Sequence, residues 1–400
     1  MSERLLTVDE ALSRLLSAAQ PVTEGESLPL AAALGRVLAS PVVAVADVPP
    51  LDNAAMDGYA LNTADWAEGR WLKIGQRIPA GQVGRPLAPA EAARIFTGAP
   101  IPPGADAVAM QEDCDTREGE VLIRRPPTVG DHIRRAGEDM AAGQTVLAAG
   151  ERLDAARLGV AAAAGAPVLT VYRRLQVAVF FTGDELVAPG QPVRPGQIYN
   201  SNRATLTALL RGLGCEVHDL GDVPDALDAT LTTLERASRQ ADVVITSGGV
   251  SVGEADHVKA AVERLGRIDL WRVAMKPGKP LVHGKVGEAD FLGLPGNPVS
   301  AFVVFCLFVR PFLLKRMGAS PRPPLRLDVP AGFAWGKPGQ RREFLRARLD
   351  ADGRAILYPN QSSGVLSSVA WADGLVDLDI GRTVAPGEPV PYIPLSELLS

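Results

Sequence analysis

The chain has 400 residues, 46% hydrophobic and 22% charged, so it can bury more than one core and does not read as a disordered polymer. Its formal net charge of -5, with signs interspersed and no basic run longer than two residues, excludes a general nucleic-acid binder. Cys114, Cys215 and Cys306 are scattered and form no CxxC; with His132, His218, His257 and His283 dispersed as well, there is no zinc pattern, and reduced, partly buried thiols are expected. Met1 to Leu6 lacks the apolar core of a signal peptide, so the expected location is the cytoplasm, with no membrane partner.

Thr7-Val8-Asp9-Glu10 is a capping box, and Val8, Ala11, Leu12, Leu15 and Leu16 follow at helical spacing, so an amphipathic helix opens the chain. A second helix is expected from Leu30 to Ala39. From Pro41 to about Met140 the chain is rich in Gly and Pro. Its β-like runs, Trp71 to Ile74, Ala93 to Thr97, Ala107 to Gln111 and Val121 to Arg124, indicate a β-rich domain. Ala141 to Gly165 is Ala-rich and reads as helical; packed back on the first helices, it would complete a discontinuous arm around the β-rich domain. The expected boundaries are 1–45 with 141–174 for the arm, 46–140 for the β-rich domain, 175–320 for an α/β domain and 321–400 for a C-terminal domain.

Between Leu175 and Gly318 strands and helices alternate: Leu175 to Phe181, Asn202 to Leu213, Glu216 to Leu220, Pro224 to Arg239, Ala241 to Ile245 and Glu254 to Leu265. That rhythm predicts a mostly parallel sheet with helices on both faces. The loop Thr246-Ser247-Gly248-Gly249-Val250-Ser251-Val252-Gly253-Glu254-Ala255-Asp256 joins an apolar strand to an acidic helix start. Glycines and free N–H groups there suit an oxyanion, while Glu254 and Asp256 need a hard cation such as Mg²⁺ between them and any anion. Alone the loop reads equally well as a tight turn.

A second loop, Gly293-Leu294-Pro295-Gly296-Asn297-Pro298-Val299-Ser300, also follows an apolar strand-like run, with Asn297 placed as N-cap and Pro298 as first helical residue. The uncharged stretch Val299 to Val309 is too short to span a bilayer and predicts a buried helix. Two such loops at strand ends suggest one rim of an open sheet, where ligands bind. The Pro-rich remainder, with extended runs at Leu325 to Val329, Phe344 to Leu349 and Ala355 to Tyr358, fits a small β-barrel-like domain.

With these motifs placed, the whole chain resembles the molybdopterin molybdenumtransferase family, itself similar to the C-terminal domain of gephyrin. The resemblance rests on Leu51 to Ala60, Ile95 to Pro102, Ile133 to Asp139, Thr182 to Leu186, Ile198 to Arg203, the 246–256 loop, Lys276 to Pro280 and Leu294 to Ser300, in that order. It implies an elongated homodimer with an active site shared between subunits. The implied reaction inserts molybdate into adenylylated molybdopterin and releases AMP, giving the molybdenum cofactor. Molybdopterin adenylyltransferase and molybdoenzyme acceptors are the partners it suggests.

The resemblance implies roles for particular residues. Glu185, Asp225 and Asp256 form an acidic set for Mg²⁺, with Asp57 and Asp139 contributed by the β-rich domain, where Thr97 is a ligand-contacting hydroxyl or an ordinary turn cap. Arg272, Lys276, Lys279, Arg346 and Ser363 serve the molybdate oxyanion, near Pro295 and Pro298. Ser247, Gly248, Gly249, Ser251, Gly253, Gly296 and Asn297 complete the cofactor-binding loops. Arg272 stands where many relatives carry Lys, which keeps charge and changes geometry. From the residues alone, Asp57 equally caps the Met56-Asp57-Gly58 turn, Asp139 equally pairs with Arg134 or Arg135, and Lys276 to Lys279 equally forms a solvated surface turn. Two other readings stand beside the insertase: the adenylyltransferase, a shorter single-domain enzyme, and a non-catalytic, gephyrin-like scaffold.

Overall fold

The computed structural model describes residues 5–250, 257–320 and 322–399. The chain divides into two compact units: Met1–Glu26, Gly35–Ala39 and Val171–Ser400 form one, Ser27–Leu34 and Ser40–Thr170 the other.

In the larger unit a sheet runs in the order Glu216–Val223, Gln176–Thr182, Val243–Ser247, Ala289–Leu294, Pro280–Val286, Gly266–Arg272. The first four strands are mutually parallel, and the last two join antiparallel. Val243–Ser247 and Ala289–Leu294 are buried along their whole length, as strands covered on both faces must be. From Gln176–Thr182 the chain first moves outward to Glu216–Val223 and then returns to Val243–Ser247 on the other side. The sheet therefore has its topological switch at the carboxyl end of Gln176–Thr182.

One face is covered by Leu227–Gln240 and His257–Leu265, the other by Ser201–Leu213 and the helical run from Pro298, on which Val8–Ala18 packs. The Thr7 capping box forms as expected, with the Thr7 hydroxyl taking the Glu10 N–H at 3.1 Å and Glu10 taking the Thr7 N–H at 2.9 Å. The helix it starts spends its apolar stripe, Val8, Ala11 and Leu15, on the core that also holds Phe308 and Phe312. It therefore belongs to the larger unit, whereas Ala155–Ala163 lies in the smaller one.

The helical content expected on either side of the β-rich region is also reduced. Between Leu30 and Ala39 only the 3₁₀ turn Leu30–Ala32 forms, because Gly35 reverses the chain at φ +75°. Within 141–165, Gly143 and Gly150 adopt φ +82° and +85° and isolate a short strand, Thr145–Leu147, before the Asp154-capped helix begins. The helix from Pro298 runs further than expected, through Pro311 to Arg316, because the π turn Phe305–Val309 absorbs the missing proline N–H. At 19 residues and mean hydropathy 1.7 it is long and apolar enough to cross a bilayer, yet 72% of that stretch is buried inside the fold, as in a core helix.

The C-terminal sheet runs Met275–Lys276, Arg342–Leu349, Gly374–Leu378, Pro389–Pro394, Leu327–Pro330, with Ala355–Leu357 also on Arg342–Leu349. A bridge between Ala331 and Ala355 ties its far edge back around a core of Leu345, Val376 and Tyr392. The smaller unit carries a six-stranded sheet, Ala107–Met110, Gly58–Leu61, Glu91–Ile95, Trp71–Ile78, Glu120–Ile123, Cys114–Arg117.

Two carboxylates, Asp290 buried and Asp242 partly buried, lock the end of the parallel sheet away from the loops. Asp242 takes both Arg173 guanidinium nitrogens at 2.7 and 2.8 Å and the Gln176 N–H at 2.8 Å. Asp290 meets Lys285 and Arg316, each at 3.0 Å. Burial alone would raise both carboxyls; the cations and hydrogen bonds overcome it, and both are held below the usual carboxylate range. A depressed folded value gives stability that is complete above the ordinary carboxylate range and lost as the pH falls through the folded value. The urea midpoint is thus expected to fall from pH 5 toward pH 3, with a shallower fall in Asp242→Asn; equal slopes would remove Asp242 from the acid response.

Candidate active site

Thr182, Ser247 and Leu294 end three adjacent parallel strands, and the loops after them meet. Gly248 and Gly249 turn the chain at φ +98° and +62°. A β-carbon at Gly248 would lie 2.2 Å from the Thr182 carbonyl oxygen, so only glycine lets these backbones approach. The Gly248 N–H donates to the Leu294 carbonyl at 3.3 Å. Asn202, on the first turn of Ser201–Leu213, donates to both the Ser247 hydroxyl at 2.8 Å and the Gly296 carbonyl at 2.7 Å. The Ser247 hydroxyl in turn donates to the Pro295 carbonyl at 2.9 Å. Ser247 is therefore a buried pin between the two loops.

These loops floor a cleft of about 690 Å³ whose walls carry opposite charges. Glu185 and Asp225, from the segments following Gln176–Thr182 and Glu216–Val223, supply carboxylates; Lys276, Lys279 and Arg341 supply cations. Asp225 accepts from the Thr182 hydroxyl at 3.3 Å, and its own N–H donates to Asp184 at 3.4 Å. No group of three His, Cys, Asp or Glu suited to a metal occurs among the described residues. Two exposed carboxylates on one cleft do suit a hydrated Mg²⁺, which takes one or two carboxylates and completes its shell with water and phosphate oxygens.

The basic wall is built by the C-terminal sheet. Met275–Lys276 pairs in parallel with Arg342 and Glu343, which sets Lys276 beside Glu343. The Lys276 ammonium lies 2.7 Å from the Glu343 carboxylate, and Arg341 donates to the Met275 carbonyl at 3.2 Å. Gly278, at φ +108°, turns the chain between the two lysines. Gln361, Ser362 and Ser363 form the facing rim. Gln361 spans the backbone of Arg346, taking its N–H and donating to its carbonyl, both at 2.9 Å, while the Ser363 carbonyl accepts from Val299 at 3.0 Å.

The cleft gathers Glu185, Asp225, Gly248, Gly249, Lys276, Lys279, Pro295, Gly296, Asn297 and Ser363 from the expected set. Asn297 precedes the helix as expected but makes no capping side-chain bond. Pro298 opens that helix, and Arg272 ends the edge strand opposite Pro280; neither lines the cleft. Arg346 requires a correction. It is 1% exposed and lies beneath the rim, its guanidinium donating to the Ser362 carbonyl at 3.3 Å and the Ser368 hydroxyl at 3.1 Å. Burial pushes it down to about 10, still charged at neutral pH; its contacts brace the 361–363 loop, and it does not line the cleft.

Ser251, Gly253, Glu254 and Asp256 lie outside the described residues. Asp57, Thr97 and Asp139 sit in the smaller unit. There Asp57 accepts both the Thr97 N–H and the Thr97 hydroxyl at 2.8 Å, and these bonds hold its carboxyl below the usual range. Arg135 pairs with Asp52 at 2.6 Å, leaving Asp139 out of the pairing that its neighbours suggested. Arg341, Glu343, Gln361 and Ser362 were not anticipated: each acts through sheet pairing or a distant loop, which no local motif encodes.

Three family models match in succession: MoeA N-terminal region (domain I and II) over residues 6–165, probable molybdopterin binding domain over 178–315, and MoeA C-terminal region (domain IV) over 328–395. A molybdopterin molybdenumtransferase from Haemophilus influenzae is 43% identical over 403 residues, covering 99% of this chain and 100% of that protein. Molybdopterin molybdenumtransferase 2 from Mycobacterium tuberculosis is 41% identical, covering 92% of this chain and 93% of its own length. The crystal structure of the molybdopterin biosynthesis MoeA protein from Pyrococcus horikoshii OT3 superposes with a TM-score of 0.86 at 28% identity, covering 98% of this chain and 100% of that one.

Proposed function

The chain belongs to the molybdopterin molybdenumtransferase family, and from that premise we propose that its cleft joins molybdate to adenylylated molybdopterin with release of AMP. It is a transferase of molybdenum cofactor biosynthesis, with molybdopterin and molybdate as substrates. The observation that carries the reading is the division of charge in one cleft: carboxylates enter from the parallel strand ends, and cations from the Lys276 to Lys279 turn and from Arg341, just before the Arg342–Leu349 strand. A substrate that is at once a phosphoanhydride and the acceptor of an oxyanion requires both.

In this reading Lys276, Lys279 and Arg341 hold the oxyanion with the Ser363 hydroxyl, and Gly248 and Gly249 let the adenylate phosphates approach the backbone. Glu185, Asp225 and Asp256 would hold a Mg²⁺ ion, which when bound offsets phosphate charge and favours departure of AMP. We further assign the working form to a cytoplasmic homodimer in which Asp57, Thr97 and Asp139 of one subunit complete the cleft of the other. The adenylyltransferase alternative is disfavoured, because full-length similarity runs to molybdenumtransferases.

The test is AMP release from adenylylated molybdopterin with and without molybdate. Release is expected only with molybdate and a divalent cation together. Lys279→Ala should raise the half-saturating molybdate concentration about tenfold to a hundredfold, as loss of one charge-assisted contact does. Full AMP release in molybdate-free buffer would identify a plain phosphohydrolase instead.

A further inference from the structure

Glu343 is an unexpected neighbour for an oxyanion site. It is 4% exposed, and both carboxylate oxygens are engaged: one by the Lys276 ammonium at 2.7 Å, the other by the Trp335 indole N–H at 2.9 Å. It cannot swing away. The strand register sets it beside Lys276, and Arg342, the preceding residue, is itself clamped to Asp377 by two contacts of 2.7 Å. Lys276 is half exposed on the cleft side, while Glu343 stays out of the lining. The cleft thus presents an ammonium whose charge is already opposed, from behind, by a fixed and poorly screened carboxylate.

We propose that Glu343 is a positioning residue that holds Lys276 in the cleft and, by its charge, keeps oxyanion affinity low enough for the anion to be handed on. The proposal rests on the cleft being the oxyanion site. A cation meant only to bind tightly would be left unpaired or given neutral acceptors. Tight ground-state binding of a group that must move to another acceptor slows its transfer, so a built-in counter-charge favours turnover over retention. Two effects compete when the charge is removed: Lys276 loses an anchor, which weakens binding, and the opposing charge disappears, which strengthens it. Lys279 and Arg341 remain to hold the anion, so the charge effect dominates.

The experiment measures tungstate and molybdate dissociation constants by calorimetry, together with the molybdate dependence of AMP release. Glu343→Gln is expected to tighten oxyanion binding about threefold to tenfold and to lower the half-saturating molybdate concentration while kcat falls. That split separates a charge effect from simple structural damage. In a Lys276→Met background, where no anchor remains to be lost and the carboxylate is no longer offset by the ammonium, adding Glu343→Gln should tighten oxyanion binding by at least as much as it does in the wild-type background. Glu343→Asp keeps the charge and withdraws it from Lys276, so it isolates loss of the anchor and should weaken oxyanion binding about twofold to fivefold; this variant decides the matter if the Gln protein does not fold, since binding equal to wild type would mean that Glu343 positions nothing. Unchanged or weaker binding in a folded Glu343→Gln protein, or weakening beyond about fivefold in Glu343→Asp, overturns the proposal. Absence of oxyanion binding in the wild-type protein overturns the cleft assignment itself, a different result.

Discussion

Gly248→Ala is expected to cost on the order of 2–4 kcal/mol of stability and to reduce AMP release at least about a hundredfold. Two effects combine at this position. The backbone sits at φ +98°, where a β-carbon is strained, and that carbon would press to 2.2 Å on the Thr182 carbonyl oxygen. A carbonyl at a strand end cannot yield as a flexible side chain does. Relief must come from the Gly248 loop, which would pull on the Leu294 carbonyl it bonds and on the Ser247 hydroxyl between Asn202 and Pro295. Gly353→Ala is the control: its φ is +76°, but nothing lies within 4 Å of the added carbon. Strain alone should then cost about 1 kcal/mol and leave activity intact. Urea melts and AMP release on both variants decide it. Equal losses would mean that backbone strain, and not the approach of three strand ends, explains the glycine.

That approach was legible in the sequence because it depends on local chemistry. An apolar β-branched run followed by Ser-Gly-Gly, and a second apolar run followed by Pro-Gly-Asn-Pro, both read as strand ends meeting helix starts, and the fold places both on one cleft. The capping box at Thr7 was equally plain, since both partners fall within one turn. What escaped is non-local, apart from the reversal at Gly35. Leu30 to Ala39 has helical composition, but a single left-handed glycine ends the turn after Ala32. Arg346 carries the residue type of an anion ligand, and only the packing of Ser368 and the 361–363 loop over it shows that it braces the rim. The Lys276–Glu343 pair joins positions 67 residues apart through a two-residue strand. No motif or spacing encodes such a pairing; it appears once the C-terminal sheet is assembled. Asp57 and Thr97 hydrogen-bond each other, which accounts for their types locally without showing what they face.

Every described residue lining the cleft lies in the larger unit, whereas Asp57, Thr97 and Asp139 all lie in the smaller one. If two copies complete each other's clefts, Asp139→Asn and Asp225→Ala damage different halves of a shared site. Each variant alone should fall below about one hundredth of wild-type AMP release, because every site in its dimer lacks one carboxylate. Unfolded and refolded together, the two should recover. A mixed dimer holds one doubly damaged site and one wholly intact site, and random association makes about half of the dimers mixed, so activity should return to roughly a quarter of wild type. The isologous symmetry of a two-fold dimer requires this outcome when the halves come from different subunits, and forbids it when they come from the same one. Mass measurement of the refolded sample establishes that mixed dimers are present. Mixed dimers without recovered activity would place the whole site within a single chain.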